Sequence, residues 1–394
     1  MSEWKKVKLG EICERVTSGG TPKANVSSYY NPPTIPWLKT KEVNYCRITE
    51  TENYISEEGL KNSSAKIISP NSVIIAMYGQ GDTAGRVAIN KIPLATNQAC
   101  CNLTIDKSKA DYEFIYYQLC TLYDKLVSLK AGAAQPNLNA RIIKNLEIIM
   151  PSLPIQHRIA TILSRYDSLI ENYQKQIKLL EEAAQRLYKE WFIDLRFPGH
   201  ENTNIIDGVP EGWEKKKLHE IAEVVMGSSP KSEFYNNDKQ GLPFHQGVGS
   251  YGTRFVDDNV YSTSITRLAE PNSILFSVRA PVGRLNITKN KIIIGRGLAA
   301  MNHKDGFQSF LFYMLKERFF MDNIIGNGSI FASISKVELL DQEFIVPPMK
   351  TIKAFESLAS KLDKKIQGVD TQLRLLTEAR DRLLPKLMSG EIEI

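Results

Sequence analysis

The sequence IATILSRYDSLIENYQKQIKLLEEAAQRLYKEW, residues 159–191, has apolar side chains three or four positions apart from end to end. This spacing is typical of a helix with one narrow apolar stripe, as in a coiled coil. Residues 355–387 repeat the pattern without a gap, so that Ile159 corresponds to Phe355 at an offset of 196. A rigid helix requires such constant spacing and a loop does not. The sequence therefore predicts two similar long helices.

The two stripes share the same order of three- and four-residue steps, although Arg380 interrupts the second one. Each helix spans about 37 residues, roughly 55 Å at 1.5 Å per residue, and Pro385 favours an early end of the second. A lone helix with one stripe needs a partner, so we expect the duplicates to pair as an antiparallel coiled coil. The predicted seam residues are Ile162, Tyr166, Ile170, Tyr173, Ile177, Leu180, Leu187, Leu358, Leu362, Ile366, Val369, Leu373, Leu376 and Leu383.

The residues before each helix are duplicated as well. The opening WKKVKLGEI (Trp4 to Ile12) returns as WEKKKLHEI (Trp213 to Ile221), and PNSVIIAMYG at 70–79 returns as PNSILFSVRA at 271–280. Short β-branched runs and one helical stretch in each copy, 112–129 and 307–320, predict α/β domains with a twisted sheet of unassigned strand order. The predicted order is a first domain at 1–150, a long helix at 151–192, a linker at 193–212, a second domain at 213–346, and a second long helix with a tail at 347–394.

This order predicts an α/β fold with an internal pseudo-two-fold repeat. If the helices pair antiparallel, the two globular domains are expected at opposite ends of a rod. A rod of roughly 55 Å is longer than one turn of B-DNA, about 34 to 36 Å, so both domains could reach the same duplex.

Composition sets broad limits on the class of protein. With 394 residues and 42% hydrophobic content, the chain can bury a sizeable core. It has neither a secretory signal nor an apolar run long enough to cross a bilayer, so we expect a cytoplasmic protein with no membrane partner. The five cysteines form no CxxC pair and no metal site is expected, so reduced, mostly buried thiols are predicted. A net charge of +6 permits a polyanionic partner.

The tripeptide Asn31-Pro32-Pro33 is part of the motif by which adenine methyltransferases hold a flipped base, but Thr34 stands where that motif has an aromatic residue. The nearby GQGDTAG, residues 79–85, has the wrong spacing for a cofactor-binding turn. We therefore assign residues 31–33 to a turn. No combination of nucleophile, histidine and acid is evident from the sequence, which predicts a chain that is not an enzyme and holds no cofactor.

In order along the chain, the sequence also contains GGTPK (19–23), PWLKTKEV (36–43), ATNQA (95–99), GAAQPNLNARIIKNLEIIMPSLPIQHRIATIL (132–163) and FPGHE (197–201). With these motifs, the chain resembles, over essentially its whole length, the specificity subunit of type I restriction-modification systems. The second domain departs from the pattern, with IGRGLAA (294–300) and IFASISK (330–336) in place of the first domain's motifs.

The resemblance implies a non-catalytic subunit with two target-recognition domains, each reading one half of a bipartite, asymmetric site in double-stranded DNA. The helix pair would set the spacer and dock two modification subunits, adenine methyltransferases that carry S-adenosylmethionine. Restriction and translocase subunits would join through that complex. The alternatives are a coiled-coil assembly adaptor with only non-specific DNA contact, and a self-sufficient adenine methyltransferase.

Base reading needs hydrogen-bond donors and acceptors on loops. Arg86 and Arg284 keep their place across the duplication, which fits either a phosphate contact or a core salt bridge. Arg279 has Tyr78 as its counterpart and is the better candidate for base discrimination. The candidate DNA-binding residues are Thr17, Ser18, Lys23, Lys39, Lys41, Tyr78, Gln80, Arg86, Asn97, Gln98, Gln135, Asn137, Asn139, Arg141, Ser229, Lys231, His245, Gln246, Tyr251, Arg254, Arg279, Arg284, Arg296, Ser329, Ser333 and Lys336.

Overall fold

A computed structural model describes residues 4–130, 137–319 and 333–394. The chain divides into two compact units, of which the first combines residues 1–172 with 372–394 and the second comprises 173–371. Each unit therefore contains one globular domain and a part of both long helices.

The duplicated opening forms the same element in both units. Lys5–Lys8 pairs antiparallel with Glu147–Met150, and Glu214–Lys217 pairs antiparallel with Glu343–Val346. In each case the second strand directly precedes a long helix, so the start of the globular domain is tied to its end. This shared closure confirms the internal repeat that the sequence predicts.

Within the described part of the first unit, the other strands form a five-stranded and a four-stranded sheet. Neighbours are antiparallel except for one parallel pair in each sheet. The five-stranded order is Cys13–Ser18, Cys100–Ile105, Val73–Ala76, Val87–Asn90 and Cys46–Ile48, and the four-stranded order is Tyr54–Ile55, Ile35–Leu38, Leu94–Thr96 and Ile67–Ile68.

The described part of the second unit has a four-stranded and a five-stranded sheet, with one parallel pair in the latter. A short hairpin, Ile205–Ile206 with Val209–Pro210, lies in the linker. The four-stranded order is Ala222–Met226, Leu298–His303, Ile274–Ser277 and Leu285–Ile287, and the five-stranded order is Tyr235–Asn236, Tyr261–Ser262, Leu242–His245, Ile292–Ile294 and Leu268–Ala269.

Short helices cover these sheets. The stretch predicted at 112–129 is two helices, Tyr112–Cys120 and Tyr123–Ser128, and its counterpart is Gln308–Phe319. Asp111 caps the first of these by accepting from the amides of Glu113 and Phe114. The remaining α-helices are Glu57–Lys61, Ala140–Lys144, Leu218–Ile221 and Lys336–Leu340, and the 3-10 helices are Leu9–Ile12, Ser27–Tyr29, Thr40–Glu42, His200–Asn202, Ser232–Phe234 and Val248–Ser250.

The first long helix is Leu153–Phe192 and the second is Met349–Ser389. The expectation that Pro385 ends the second helix early is wrong, because this proline lies inside the helix. Leu387 and Met388, which follow it, are 1% and 5% exposed in the core of the first unit. Their burial stabilises the last turn and offsets the backbone hydrogen bond that proline removes.

Packing within each unit shows that the helices run antiparallel. In the first unit, Ile159 and Leu163 near the start of the first helix share a core with Leu387 and Met388 near the end of the second. In the second unit, the relation is inverted, because the ring of Trp191 at the end of the first helix lies 5.9 Å from that of Phe355 near the start of the second. Antiparallel pairing is therefore confirmed.

Most predicted seam residues are buried or half-buried. Ile170, Ile177, Ile366 and Val369 are fully buried. Leu358 departs from the prediction, since it is 43% exposed while Ala359 beside it is 0% exposed. On this stretch of the helix, Phe355 and Ala359 belong to the core of the second unit, and Leu358 lies outside it. The half-buried members are Ile162, Tyr166, Tyr173, Leu180, Leu187, Leu362, Leu373, Leu376 and Leu383.

The cysteines are free thiols, and Cys100 and Cys101 are buried. Burial raises the pKa of Cys101 to about 12, so its thiol stays protonated at neutral pH. Among the described residues, no helix is both long and apolar enough to span a membrane.

We expect Phe355→Ala to lower the free energy of unfolding by about 3 to 5 kcal/mol, because it empties a fully buried aromatic site. Its ring lies between those of Tyr188, Phe192 and Phe310, at centroid distances of 5.8, 5.1 and 6.3 Å. Urea unfolding of the full chain measures the change. The matched control, Leu358→Ala, should stay within about 0.5 kcal/mol of the parent; an equal loss in both variants would place Leu358 in the seam after all.

Candidate nucleic-acid interface

In each unit, two parallel strands end side by side at one edge of a sheet. The amide that follows bonds back across the pair: Asn97 N donates to Leu38 O at 3.0 Å, and Gly295 N donates to His245 O at 2.8 Å. Residues after these strands therefore lie together, at the kind of edge where open α/β sheets bind ligands. The last paired residues are Leu38 with Thr96 and His245 with Ile294.

A glycine brings another loop to this edge. A Cβ atom on Gly19 would lie 2.1 Å from Thr96 O, and one on Gly227 would lie 2.1 Å from Gly295 O. Neither position has room for a side chain. The residue after each of these glycines makes the same backbone hydrogen bond to the sheet edge. Gly20 N donates to Thr96 O at 2.8 Å, and Ser228 N donates to Ile294 O at 2.9 Å. The backbone framework is thus the same in both units.

A third loop follows the strand Val73–Ala76 in the first unit and its counterpart Ile274–Ser277 in the second. Met77 N donates to Ala99 O at 2.8 Å, and Val278 N donates to Gly297 O at 2.9 Å. The residues that come next, Tyr78 and Arg279, are therefore equivalent. By the same alignment of hydrogen bonds, Lys39 is equivalent to Gln246, Gln98 to Arg296 and Thr21 to Ser229.

Side chains at these equivalent positions differ in chemistry. In the first unit, the hydroxyl of Thr21 bonds to the side chain of Gln98. Lys39 Nζ donates to Asn53 Oδ1 at 2.9 Å and lies 5.1 Å from the centre of the Trp37 ring. At this edge Thr21 and Gln98 are therefore neutral and bonded to each other, and Lys39 is held in place by its neighbours.

In the second unit, the edge is cationic and concave. A cavity of about 170 Å³ is lined by Gln246, Arg279 and Arg296, together with Ser277 and neighbouring residues. Arg279, Arg296 and Gln246 are all exposed. Three candidates that are far apart in sequence are thus brought into one site.

Comparisons with known proteins identify the family. The family described as "Type I restriction modification DNA specificity domain" matches residues 1–182 and 210–373. The chain belongs to this family. The MjaIX type I restriction enzyme specificity subunit of Methanocaldococcus jannaschii is 31% identical and aligns with 100% of this chain and 94% of that protein.

A second relative of this specificity-domain chain, the HindI specificity subunit of Haemophilus influenzae, is 20% identical over the full length of both proteins. The crystal structure of a type I restriction-modification S subunit from M. genitalium aligns with a TM-score of 0.64 at 18% identity. It covers 98% of this chain and 96% of that one. The fold of the specificity-domain family is therefore shared.

Arg254, predicted from the sequence to contact DNA, is only 2% exposed and instead joins the globular part of its unit to the long helices. Its guanidinium lies 2.7 Å from Asp363 Oδ1 and 3.7 Å from Glu181 Oε1. The guanidinium also stacks over the ring of Phe312, with Arg254 Cζ 3.6 Å from the centre of that ring. The prediction for Arg254 is wrong, because the carboxylates of the helices hold it inside.

The side chain of His245 and the hydroxyl of Tyr251 are also enclosed by the protein. The His245 ring bonds through Nδ1 to Ser250 Oγ at 2.8 Å and through Nε2 to Asp258 Oδ1 at 2.9 Å. Although this trio resembles a hydrolase triad that the sequence did not reveal, the His245 side chain is 0% exposed and no substrate can reach it. The hydroxyl of Tyr251 is buried, and burial raises its pKa well above the ordinary value. The prediction of DNA contact is therefore wrong for His245, whereas Tyr251 is half-buried and its DNA contact stays a prediction.

Aspartates on the long helices, at Asp167 and Asp363, were missed as functional groups. Tyr117 Oη donates to Asp167 Oδ2 at 2.6 Å, and Tyr313 Oη donates to Asp363 Oδ1 at 2.8 Å. Burial, together with the charge of Asp167, raises the pKa of Tyr117 far above its usual value, so it remains a donor. The signal was in the sequence, since these identical aspartates recur at the offset of 196 on the flank of the seam.

Arg380, which interrupts the seam, belongs to the same network. Its Nη1 donates to Asp167 Oδ1 at 2.9 Å within the first unit. Burial lowers the pKa of Arg380, but hydrogen bonds to Asp167 and Asp381 outweigh this and raise it. The interruption is therefore an ion pair between the two helices.

Arg86 forms a surface ion pair with Asp82 at 2.5 Å and bonds to Asn44 at 3.0 Å, so a core salt bridge does not describe it. Lys41 pairs with Glu52, and Asn139 caps Ala140–Lys144 by accepting from the amide of Ile142 at 2.9 Å. Gln135 and Ser329 lie outside the described residues. The other candidates at exposed or half-exposed positions are Thr17, Ser18, Lys23, Gln80, Asn97, Asn137, Arg141, Lys231, Arg284, Ser333 and Lys336.

The turn assigned to Asn31-Pro32-Pro33 is an exposed bend between the 3-10 helix Ser27–Tyr29 and the strand Ile35–Leu38. It lies before that strand, whereas the shared edge described above lies after it. This placement is in keeping with a connecting role for these residues.

We expect Arg254→Met to lower the free energy of unfolding by about 3 to 5 kcal/mol, because it leaves Asp363 and Glu181 without their buried cation. Thermal unfolding of the full chain measures this. The exposed control Arg186→Met should change stability by no more than about 0.5 kcal/mol. Below its unfolding temperature, the Arg254→Met protein should keep the parental DNA sequence preference; normal stability with a lost preference would reinstate Arg254 as a DNA contact.

Proposed function

We propose that this chain is the DNA sequence-specificity subunit of a type I restriction-modification enzyme, in which each unit reads one half of a bipartite, asymmetric site. One observation carries the proposal: the two units share a backbone framework at the sheet edge but differ there in side chains. Equal scaffolds dock on DNA in the same way, while different donors and acceptors read different bases.

The chain is not an enzyme, as the family's specificity subunits leave catalysis to partner subunits. The trio around His245 does not contradict this conclusion, because the His245 side chain is 0% exposed. Methyl transfer from S-adenosylmethionine would belong to modification subunits, and DNA translocation and cleavage to restriction subunits that join through them.

The long helices supply two equivalent sites for the modification subunits. Leu179 on the first helix and Leu375 on the second are related by the offset of 196, and each is 53% exposed. Exposed leucines at matching positions favour binding of two copies of one partner, since identical partners need identical contacts. We infer that one modification subunit docks over each leucine.

The helices also set the distance between half-sites. Both belong in part to each unit, and their apolar positions are spaced without a gap. Because a helix resists compression and extension, the length of this pair is the simplest determinant of the spacer.

Selection of bound sequences from a random DNA library, with the chain assembled on its modification subunits, should yield two short conserved halves separated by a fixed gap. Insertion of seven residues after both Leu180 and Leu376 preserves the seam and adds roughly 10 Å, about three base pairs. The gap should lengthen accordingly while the halves stay the same. Binding that depends on salt but not on sequence would instead favour the coiled-coil adaptor. An unchanged gap after the insertion would show that the helices do not set the distance between the half-sites.

Leu179→Asp and Leu375→Asp should each reduce the assembled complex from two modification subunits to one, because a carboxylate at an apolar contact is costly to desolvate. Light-scattering mass of the purified complex measures the stoichiometry. Gln174→Asp, a substitution at an exposed position of the first long helix, controls for the added charge and should keep two subunits. Two bound subunits in either leucine variant would contradict this docking surface.

A further inference from the structure

The cavity in the second unit points to the chemistry of one half-site. The side chains of Arg279 and Arg296 form no hydrogen bond or ion pair with any of the described residues, and both are exposed. A guanidinium with five donors and no partner is poised for a ligand. In contrast, Arg254 and Arg86 are engaged by carboxylates of their own unit.

The backbone beneath the two arginines is fixed. Arg279 forms a bridge with Ser333, and the amide of Arg296 donates to Ser229 Oγ at 3.2 Å. Arg296 stands between Gly295 and Gly297, where a Cβ atom would lie 2.9 and 2.4 Å from backbone atoms of Gln246. The close approach of these segments holds both arginines at the rim of one cavity.

The first unit has no cation at the equivalent positions. Tyr78 replaces Arg279, and Gln98, bonded to Thr21, replaces Arg296. If the arginines only attracted the phosphate backbone, we would expect them in both units, because the phosphates are the same at both half-sites. Their restriction to one unit favours a role in sequence discrimination.

We infer that the half-site read by the second unit contains a G·C pair, recognised in the major groove by Arg279 or Arg296, while the half-site of the first unit is read without these arginine contacts. This inference rests on the proposed function. Arginine presents two parallel N–H groups that match guanine O6 and N7, the commonest specific contact between proteins and DNA. Gln246, at the same cavity, supplies the amide that matches adenine at a neighbouring position.

The test selects bound DNA sequences with three assembled complexes and compares them. One complex contains the parent chain, one the Arg279→Gln variant and one the Arg296→Gln variant. At least one variant should relax the guanine preference by about 5- to 150-fold at one position of one half-site, without changing the other half. Gln98→Ala should affect only the opposite half-site. Lys291→Gln, which removes an exposed cation paired with Glu270, controls for charge and should leave both halves unchanged.

The thermal unfolding temperature of both arginine variants should match that of the parent, since neither side chain is tied to a described residue. A uniform loss of affinity over all sequences, with a shallower salt dependence, would assign the arginines to phosphates and overturn the inference. So would a parental site without guanine in the half that responds to these variants. If the parent itself shows no split-site preference, both the proposed function and the inference fail.

Discussion

The rest of this structure depends on a hydrogen bond from a tyrosine to an aspartate on a long helix, made once in each unit. Tyr117 bonds to Asp167, and Tyr313 bonds to Asp363. Such a bond, in a buried or partly buried site, fixes direction as well as distance, whereas apolar packing alone permits sliding. It ties the globular part of each unit to the helix that carries it, and base reading at a fixed spacing has meaning only if that attachment is rigid.

The two aspartates pair with different cations. In the first unit, Arg380 comes from the partner helix, while in the second, Arg254 comes from a loop of the globular domain and stacks on Phe312. The first arrangement accounts for the break in the apolar seam. Both copies of the repeat thus keep the aspartate and the tyrosine, but the arginine that pairs with the aspartate comes from a different element in each. The sheet edge likewise has a common backbone and different side chains in the two units.

The ends of the parallel strand pairs separate the residues proposed to read DNA from the residues that form the sheets. Residues before the strand ends are buried in the sheets, and residues just after them are free to vary, because their backbone hydrogen bonds need no particular side chain. Glycine is the exception at Gly19 and Gly227, where the approach of the sheet edge leaves no room for a Cβ atom. This division explains how two units can share a fold while the first presents Tyr78 and Gln98 where the second presents the arginines of a cationic cavity.

The sequence by itself determined the repeat and the two long helices, because constant heptad spacing is a local property that tolerates no gaps. The antiparallel direction of the pair was an expectation that only the packing of each unit decided. It also placed Gln246, Arg279 and Arg296 among the candidates. Tertiary structure alone decided which candidates are accessible: His245 and Arg254 look like surface donors in sequence but are enclosed by Asp258 and Asp363. Leu358 and Pro385 were misjudged for the same reason, since burial depends on neighbours distant in the chain. The spacing of apolar residues can be read from the sequence alone, whereas the partner of a charged side chain depends on contacts between segments that are distant in sequence.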